Sequence, residues 1–214
     1  MKSATLILLA GGAALSTACA DIERSRDLHN PKVSATTLAQ QVCSNCHGQS
    51  GNATSPNFPN LAAQSEPYVT AQLNAFKSHG RRDPAGFEYM WGLSRSLSED
   101  QIKGLAAYYA AQTPVRQPPE GDPSRNAAGK ALFDSGAPAQ GVPACAGCHG
   151  NLGQGLAAFP RLAGQHADYV IKQLQVFQRT DDRPEGSVMK TVAHALTPRD
   201  IADVAGYVQS LVER

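Results

Sequence analysis

Cys43-Ser44-Asn45-Cys46-His47 and Cys145-Ala146-Gly147-Cys148-His149 are two copies of one five-residue pattern. Each sets two thiols three positions apart, with an imidazole directly after the second. This is how c-type haem is held: the thiols bond the porphyrin covalently and the adjacent histidine ligates the iron. The two copies predict two covalently bound haem c groups, one on Cys43, Cys46 and His47 and one on Cys145, Cys148 and His149. Other uses of paired cysteines fit poorly. A zinc ribbon wants its pairs about 15 to 20 residues apart, whereas these begin 102 positions apart (145 − 43). A thioredoxin-like dithiol wants alternating strands and helices around it, which neither site has.

With 214 residues, 42% of them hydrophobic, and a formal charge of +1, the chain is long enough for two small domains and too balanced for a nucleic-acid binder. Aromatic residues make up only 6%. Two domains of such composition have thin cores unless something large and apolar fills them, and covalent haem does so.

Residues 1–20 read as a secretory signal, with Lys2 near the start, an apolar run from Ala4 to Leu15, and small residues before Asp21. The apolar run is too short to span a bilayer. Ala18-Cys19-Ala20 has the form of an ordinary cleavage site, and a competing reading makes Cys19 a lipidated first residue. Four of the five cysteines lie in the two motifs and the fifth in this leader, so no thiols remain for a structural disulfide. The expected location is the periplasm. Residues 21–34 form a polar lead-in, expected to be poorly ordered.

The remainder is a tandem duplication. Phe58-Pro59-Asn60-Leu61 follows the first motif, and Phe159-Pro160-Arg161-Leu162 follows the second. Tyr68-Val69, Gln72-Leu73 and Phe76 match Tyr169-Val170, Gln173-Leu174 and Phe177. Met90 and Leu97 match Met189 and Leu196, and Ile102 and Tyr108 match Ile201 and Tyr207. Val69, Leu73 and Phe76 fall at i, i+4 and i+7, one face of a helix, as do Val170, Leu174 and Phe177. Ser98-Glu99-Asp100-Gln101 has the form of a capping box, and Thr197-Pro198-Arg199-Asp200 supplies a cap, a proline at the first helical position and an early acid. No convincing alternating pattern appears, so the expected fold class is all-α. Pro114, Pro118, Pro119, Gly121 and Pro123 mark a stiff strap between the halves. The expected domains are 35–113 and 126–214, joined by a linker at 114–125.

What fills the second axial position of each iron separates a carrier from a catalyst. Apart from the initiator, the methionines are Met90 and Met189, at equivalent places in the repeat. A methionine in a helical protein is ordinarily core filler. The pairing instead marks both as ligands, and a thioether opposite histidine raises the reduction potential. The rivals His79, His166 and His194 face Thr180, Ser65 and Arg95 in the repeat, so they read as solvated surface residues. Pro59 and Pro160 are turn residues whose shared position places a carbonyl where a ligating histidine needs an acceptor. Tyr68 and Tyr169 are core aromatics or donors to haem carboxylates.

Twice over, the order runs Cys-x-x-Cys-His, Phe-Pro-x-Leu-Ala, Tyr-Val-x-x-Gln-Leu, methionine, and a closing helix with tyrosine. In this the chain resembles the dihaem cytochrome c4 family from the end of the leader to the C-terminus. The stretch from Phe159 to Val170 is especially similar. The resemblance implies two tandem cytochrome c-like domains related by pseudo-twofold symmetry, with the haems near their interface. It also implies a periplasmic electron carrier, often associated peripherally with the membrane, that takes electrons from a quinol-oxidising complex towards a terminal oxidase. In that family the counterparts of Pro59 and Pro160 supply the carbonyl to the proximal histidine, and those of Met90 and Met189 are axial ligands. One departure is that the first half lacks a glycine where Gly129 precedes Ala131-Leu132-Phe133, so its opening helix is expected to pack differently on its closing helix.

Three functions follow from these residues. The first is one-electron transfer with no catalytic step. The second is the dihaem electron-transfer subunit of a dehydrogenase, such as one paired with a flavoprotein that oxidises sulfide. The third, a dihaem peroxidase or similar enzyme, needs an open iron position, against which the matched methionines argue.

Overall fold

The computed structural model describes residues 25–84, 86–115 and 123–211. The leader at 1–20 and the centre of the proline-rich linker lie outside the described residues. Among the described residues the regular structure is helical, with only two isolated β-bridges, Ala137 to Val142 and Leu156 to Phe159. No described helix is long and apolar enough to cross a membrane.

Domain one opens with α1 (Ala35–Leu38), which runs through a π-helical turn (Ala39–Cys43) into α2 (Ser44–His47). It continues with α3 (Glu66–Lys77), a second π-helical turn (Gly86–Met90), α4 (Trp91–Ser94) and α5 (Glu99–Ala110). Domain two repeats the order with α6 (Pro123–Ser135), α7 (Ala146–His149), α8 (Ala167–Arg179), α9 (Ser187–Ala193) and α10 (Pro198–Ser210). Proline 123 heads α6, so helix begins inside the stretch read as strap. A proline fits the first helical position, where its missing N–H leaves no bond unmade.

The start signals act as the sequence indicates. Ser98 and Gln101 form a reciprocal capping box at α5. Thr197 and Asp200 form another at α10, so the early acid there caps as well as complementing the helix dipole. Gln101 does more than cap: its Nε2 donates to the carbonyls of Asn30 and Val33, both at 3.0 Å. Leu28 and Val33 pack on the domain-one core as well. Residues 25–34 are therefore turns fastened to α5, and the expectation of a poorly ordered lead does not hold for them.

In domain one the core gathers Leu38, Leu97, Ile102, Leu105 and Tyr109 between α1, α3 and α5. Domain two buries a larger set around Phe133, Val170, Leu174, Phe177 and Ile201. Complete burial of one such side chain contributes about 1.5–3 kcal/mol, so the apolar faces of α3 and α8 anchor the layers on which the motifs sit.

The first and last helices of each domain cross through one glycine, and the two domains place it on opposite helices. In domain two it is Gly129 of α6, where a Cβ would overlap the Asp203 carbonyl of α10. In domain one the corresponding position is Ala35, and the glycine is Gly104 of α5, whose added Cβ would lie 2.6 Å from the Ala35 Cβ. The altered crossing expected from the missing glycine is thus an exchange of the small residue between partners. With a full side chain at its own crossing position, domain two holds the buried Asp203, which accepts from Arg125 at 2.6 Å.

The domains meet through polar groups arranged about a pseudo-twofold axis. Gln64 spans to Arg161 and Gln165 to Asn60, each pairing with both main-chain groups of its target. Arg81 and Arg183 are both buried and share the side-chain oxygens of Gln72 and Gln173. Each also stacks on the phenylalanine of its own domain, Phe76 or Phe177, at 4.6 Å.

Candidate functional site

The two Cys-x-x-Cys-His motifs have the same local build. Each histidine ends a single helical turn, and the next residue is a glycine with positive φ, Gly48 at +73° and Gly150 at +83°. A Cβ on Gly48 would overlap the Asn52 carbonyl, so only glycine lets the chain reverse here. The reversal carries the backbone to the Phe-Pro segment, which folds back over the histidine.

There the geometry is duplicated almost to the decimal. His47 Nδ1 donates to the Pro59 carbonyl at 2.9 Å, and His149 Nδ1 donates to the Pro160 carbonyl at 2.9 Å. Phe58 and Phe159 meet their histidine rings edge to face, both with centroids 6.3 Å apart. A carbonyl can only accept, so the proton sits on Nδ1 and Nε2 is left with a free lone pair. Burial holds both imidazoles below their ordinary titration range, against the opposing pull of the proline carbonyls. A neutral ring with a fixed tautomer and a free Nε2 is what an iron ligand requires.

The thiols suit covalent attachment. None of Cys43, Cys46, Cys145 and Cys148 is in a disulfide. Burial pushes Cys43 and Cys145 up to about 11, so each stays a thiol at neutral pH. Cys43 packs against the domain-one core and Cys145 against the domain-two core.

Met189 lies in α9 and packs on the same core cluster as Cys145. Met90 ends the π-helical turn of domain one, and its carbonyl accepts from Ser94 Oγ at 2.6 Å. The two methionines keep their equivalent order in the chain but sit on unlike local structure, a π-helical turn in one domain and an α-helix in the other.

The other histidines divide. His194 is exposed at the end of α9. His79, at φ +60°, is half-buried and stacks on Trp91 with centroids 4.3 Å apart. His166 is buried, and its Nε2 meets the Ala53 carbonyl of the other domain at 2.9 Å. It is therefore an interface residue, not a solvated one. Sequence reasoning also passed over Arg81, Arg183 and Asp83, which join Tyr169 at the interface. Burial pushes the Asp83 carboxyl up, but hydrogen bonds from Arg81 and the charges of Arg81 and Arg183 override it and hold the group below the usual carboxylate range. Tyr169 Oη lies 3.5 Å from Arg81, so this tyrosine is a polar member of the interface.

A helical domain folded around one carbonyl-fixed histidine with two thiols beside it is a c-type cytochrome domain, and this chain carries two in tandem. Comparison with known proteins agrees: the cytochrome c family model matches residues 34–111 and again 126–212. The chain is 42% identical to cytochrome c4 of Pseudomonas aeruginosa, over 79% of its own length and 84% of that protein. The solved cytochrome c4 of Acidithiobacillus ferrooxidans superposes with a TM-score of 0.73 at 40% identity, covering 79% of this chain and 98% of that one. A protein of Thiomonas intermedia described as a thiosulfate dehydrogenase electron acceptor is 33% identical over 78% of this chain and 76% of its own. The chain belongs to the cytochrome c family and, within it, to the dihaem cytochromes c4. It is a dihaem electron carrier with two covalently bound haem c groups.

Proposed function

We propose that Cys43 and Cys46 attach one haem and Cys145 and Cys148 the other, with His47 and Met90 as axial ligands of the first iron and His149 and Met189 of the second. The haems supply reversible one-electron chemistry between ferric and ferrous iron. The chain's own residues fix the ligands, exclude water and present a docking face. The observation that carries this reading is the paired hydrogen bond from His47 to Pro59 and from His149 to Pro160, equal in length, which sets both imidazoles in the ligating tautomer. Met90 and Met189 support it through their matched places in the repeat.

The biological setting that fits is a periplasmic carrier moving single electrons from a quinol-oxidising complex to a terminal oxidase. Replacing Met90 or Met189 with alanine, one at a time, tests the ligand set. Each variant should lower the reduction potential of one haem and leave the other near its original value. A variant that moves neither potential removes that methionine from the ligand set.

The likeness to the Thiomonas intermedia protein favours a second reading, in which the chain accepts electrons from a dehydrogenase as its electron-transfer subunit. Isolation of the chain from its native source separates the two. A stable complex with a dehydrogenase identifies a subunit, and a free protein reduced by a quinol-oxidising complex identifies a shuttle.

A further inference from the structure

Tyr109 is 2% exposed, and its hydroxyl makes no full hydrogen bond to any oxygen or nitrogen; the group it approaches is the Cys43 thiol. The ring cannot turn away. It packs against the loop after the first motif, where a Cβ on Gly51 would lie 2.8 Å from Tyr109 Cδ1, and Tyr108 stacks edge to face on it at 5.2 Å. The Tyr109 carbonyl is also taken, by Ala63 N at 2.9 Å. Its neighbour Tyr108 differs, since its hydroxyl donates to the Gln49 carbonyl at 2.8 Å. Burying an unpaired hydroxyl costs stability, so the residue that retains one has a partner to come.

Cys43 packs on the core cluster to which Tyr109 belongs, with its thiol within reach of that hydroxyl. Burial pushes Tyr109 well above the ordinary phenol range, so it remains a proton donor. In domain two the equivalent of Tyr108 is Tyr207, and the next residue is Val208, buried against the cluster that Cys145 borders. A valine offers no donor there. The two attachment sites are otherwise closely matched, and this is a chemical difference between them beside a haem-bearing cysteine.

We infer that the Tyr109 hydroxyl donates to the Cys43 sulfur once that sulfur is a thioether of the first haem, and that this bond sets the potential of the first haem apart from the second. The inference rests on Cys43 being an attachment point. A thioether is a weak acceptor, but a fixed donor dipole with its positive end towards the porphyrin favours the ferrous state. The bond therefore raises the potential of the first haem alone, and Tyr109 is a positioning residue with no part in ligation.

The test uses the dihaem protein and its Tyr109→Phe variant, which keeps the ring and removes only the hydroxyl. Intact mass comes first: loss of a haem from a variant lacking Cys43 but not from Y109F separates attachment from tuning. Loaded Y109F should show a lower potential at the first haem, identified by nuclear Overhauser contacts to domain-one side chains, with the second unchanged. In the ferrous wild type, the Tyr109 hydroxyl proton should exchange slowly and show a contact to the Cys43 β-protons. An unchanged first potential, equal movement of both, or a hydroxyl proton in fast exchange overturns the inference.

Discussion

Gln64 and Gln165 hold the two domains together with the same pair of hydrogen bonds run in opposite directions. Gln64 Nε2 donates to the Arg161 carbonyl at 3.1 Å while its Oε1 accepts from Arg161 N at 2.7 Å. Gln165 does likewise to Asn60, at 3.0 and 2.8 Å. Each target lies next to the proline whose carbonyl fixes a histidine. The interface and the two motif histidines are thus separated by one peptide unit.

Truncating either glutamine leaves a main-chain N–H and C=O unpaired on the opposite domain, at buried Arg161 or partly buried Asn60. Gln64→Ala and Gln165→Ala should each weaken docking by about 1–3 kcal/mol, and by similar amounts because the bonds are mirrored. Chemical denaturation should then change from one transition towards two as the domains uncouple. A single unshifted transition would show that these bonds do not hold the interface.

Asp83 makes the interface acid-sensitive. Its folded titration lies below the ordinary carboxylate value of about 3.9, so it adds stability that is fully present above that value and lost as pH falls through the lower folded one. Asp83→Asn should be less stable than the parent at neutral pH, and the gap should close below about pH 4. Thermal unfolding of both proteins across that range measures it.

The exchanged glycine gives a rescue experiment. Gly104→Ala places a methyl 2.6 Å from the Ala35 Cβ and should cost about 1–3 kcal/mol. Adding Ala35→Gly should restore most of the loss, since it empties the opposing position. Gly129→Ala should have no such rescue, because its obstacle is the Asp203 main chain. Urea unfolding of the four proteins tests the set.

Ala63 and Gly164 share a left-handed backbone at equivalent places, with φ of +54° and +74°. Each donates its N–H to the closing helix, at Tyr109 or Val208, and both bonds are 2.9 Å. Alanine is strained in this region, where glycine is not. Ala63→Gly should raise the stability of domain one by up to about 1 kcal/mol, read as a higher denaturation midpoint.

Much of this was legible because it is local or repeated. The capping boxes at Ser98 and Thr197, the helical faces of Val69 and Val170, and the two motifs are written in short stretches of chain. The interface was harder to see. His166 read as a solvated residue because its partner, the Ala53 carbonyl, is 113 positions away. Arg81 and Arg183 carry no periodic signature and look like surface charges until Gln72 and Gln173 are brought between them. A signal existed in the repeat: Gln64 and Gln165 stand at the same distance after Phe58 and Phe159, and a matched polar residue inside a duplication points to the symmetry axis. The order of residues 25–34 is hidden for a related reason, since it comes from Gln101, whose sequence context signals only a cap.

The central claim is that both irons are closed by methionine. The most direct test is the near-infrared absorption of the oxidised protein, where ferric haem ligated by histidine and methionine has a weak charge-transfer band, quantified per haem. Two haems' worth of that band is the predicted result. A band accounting for one haem or none would contradict the account and place another ligand, or an open site, opposite His47 or His149.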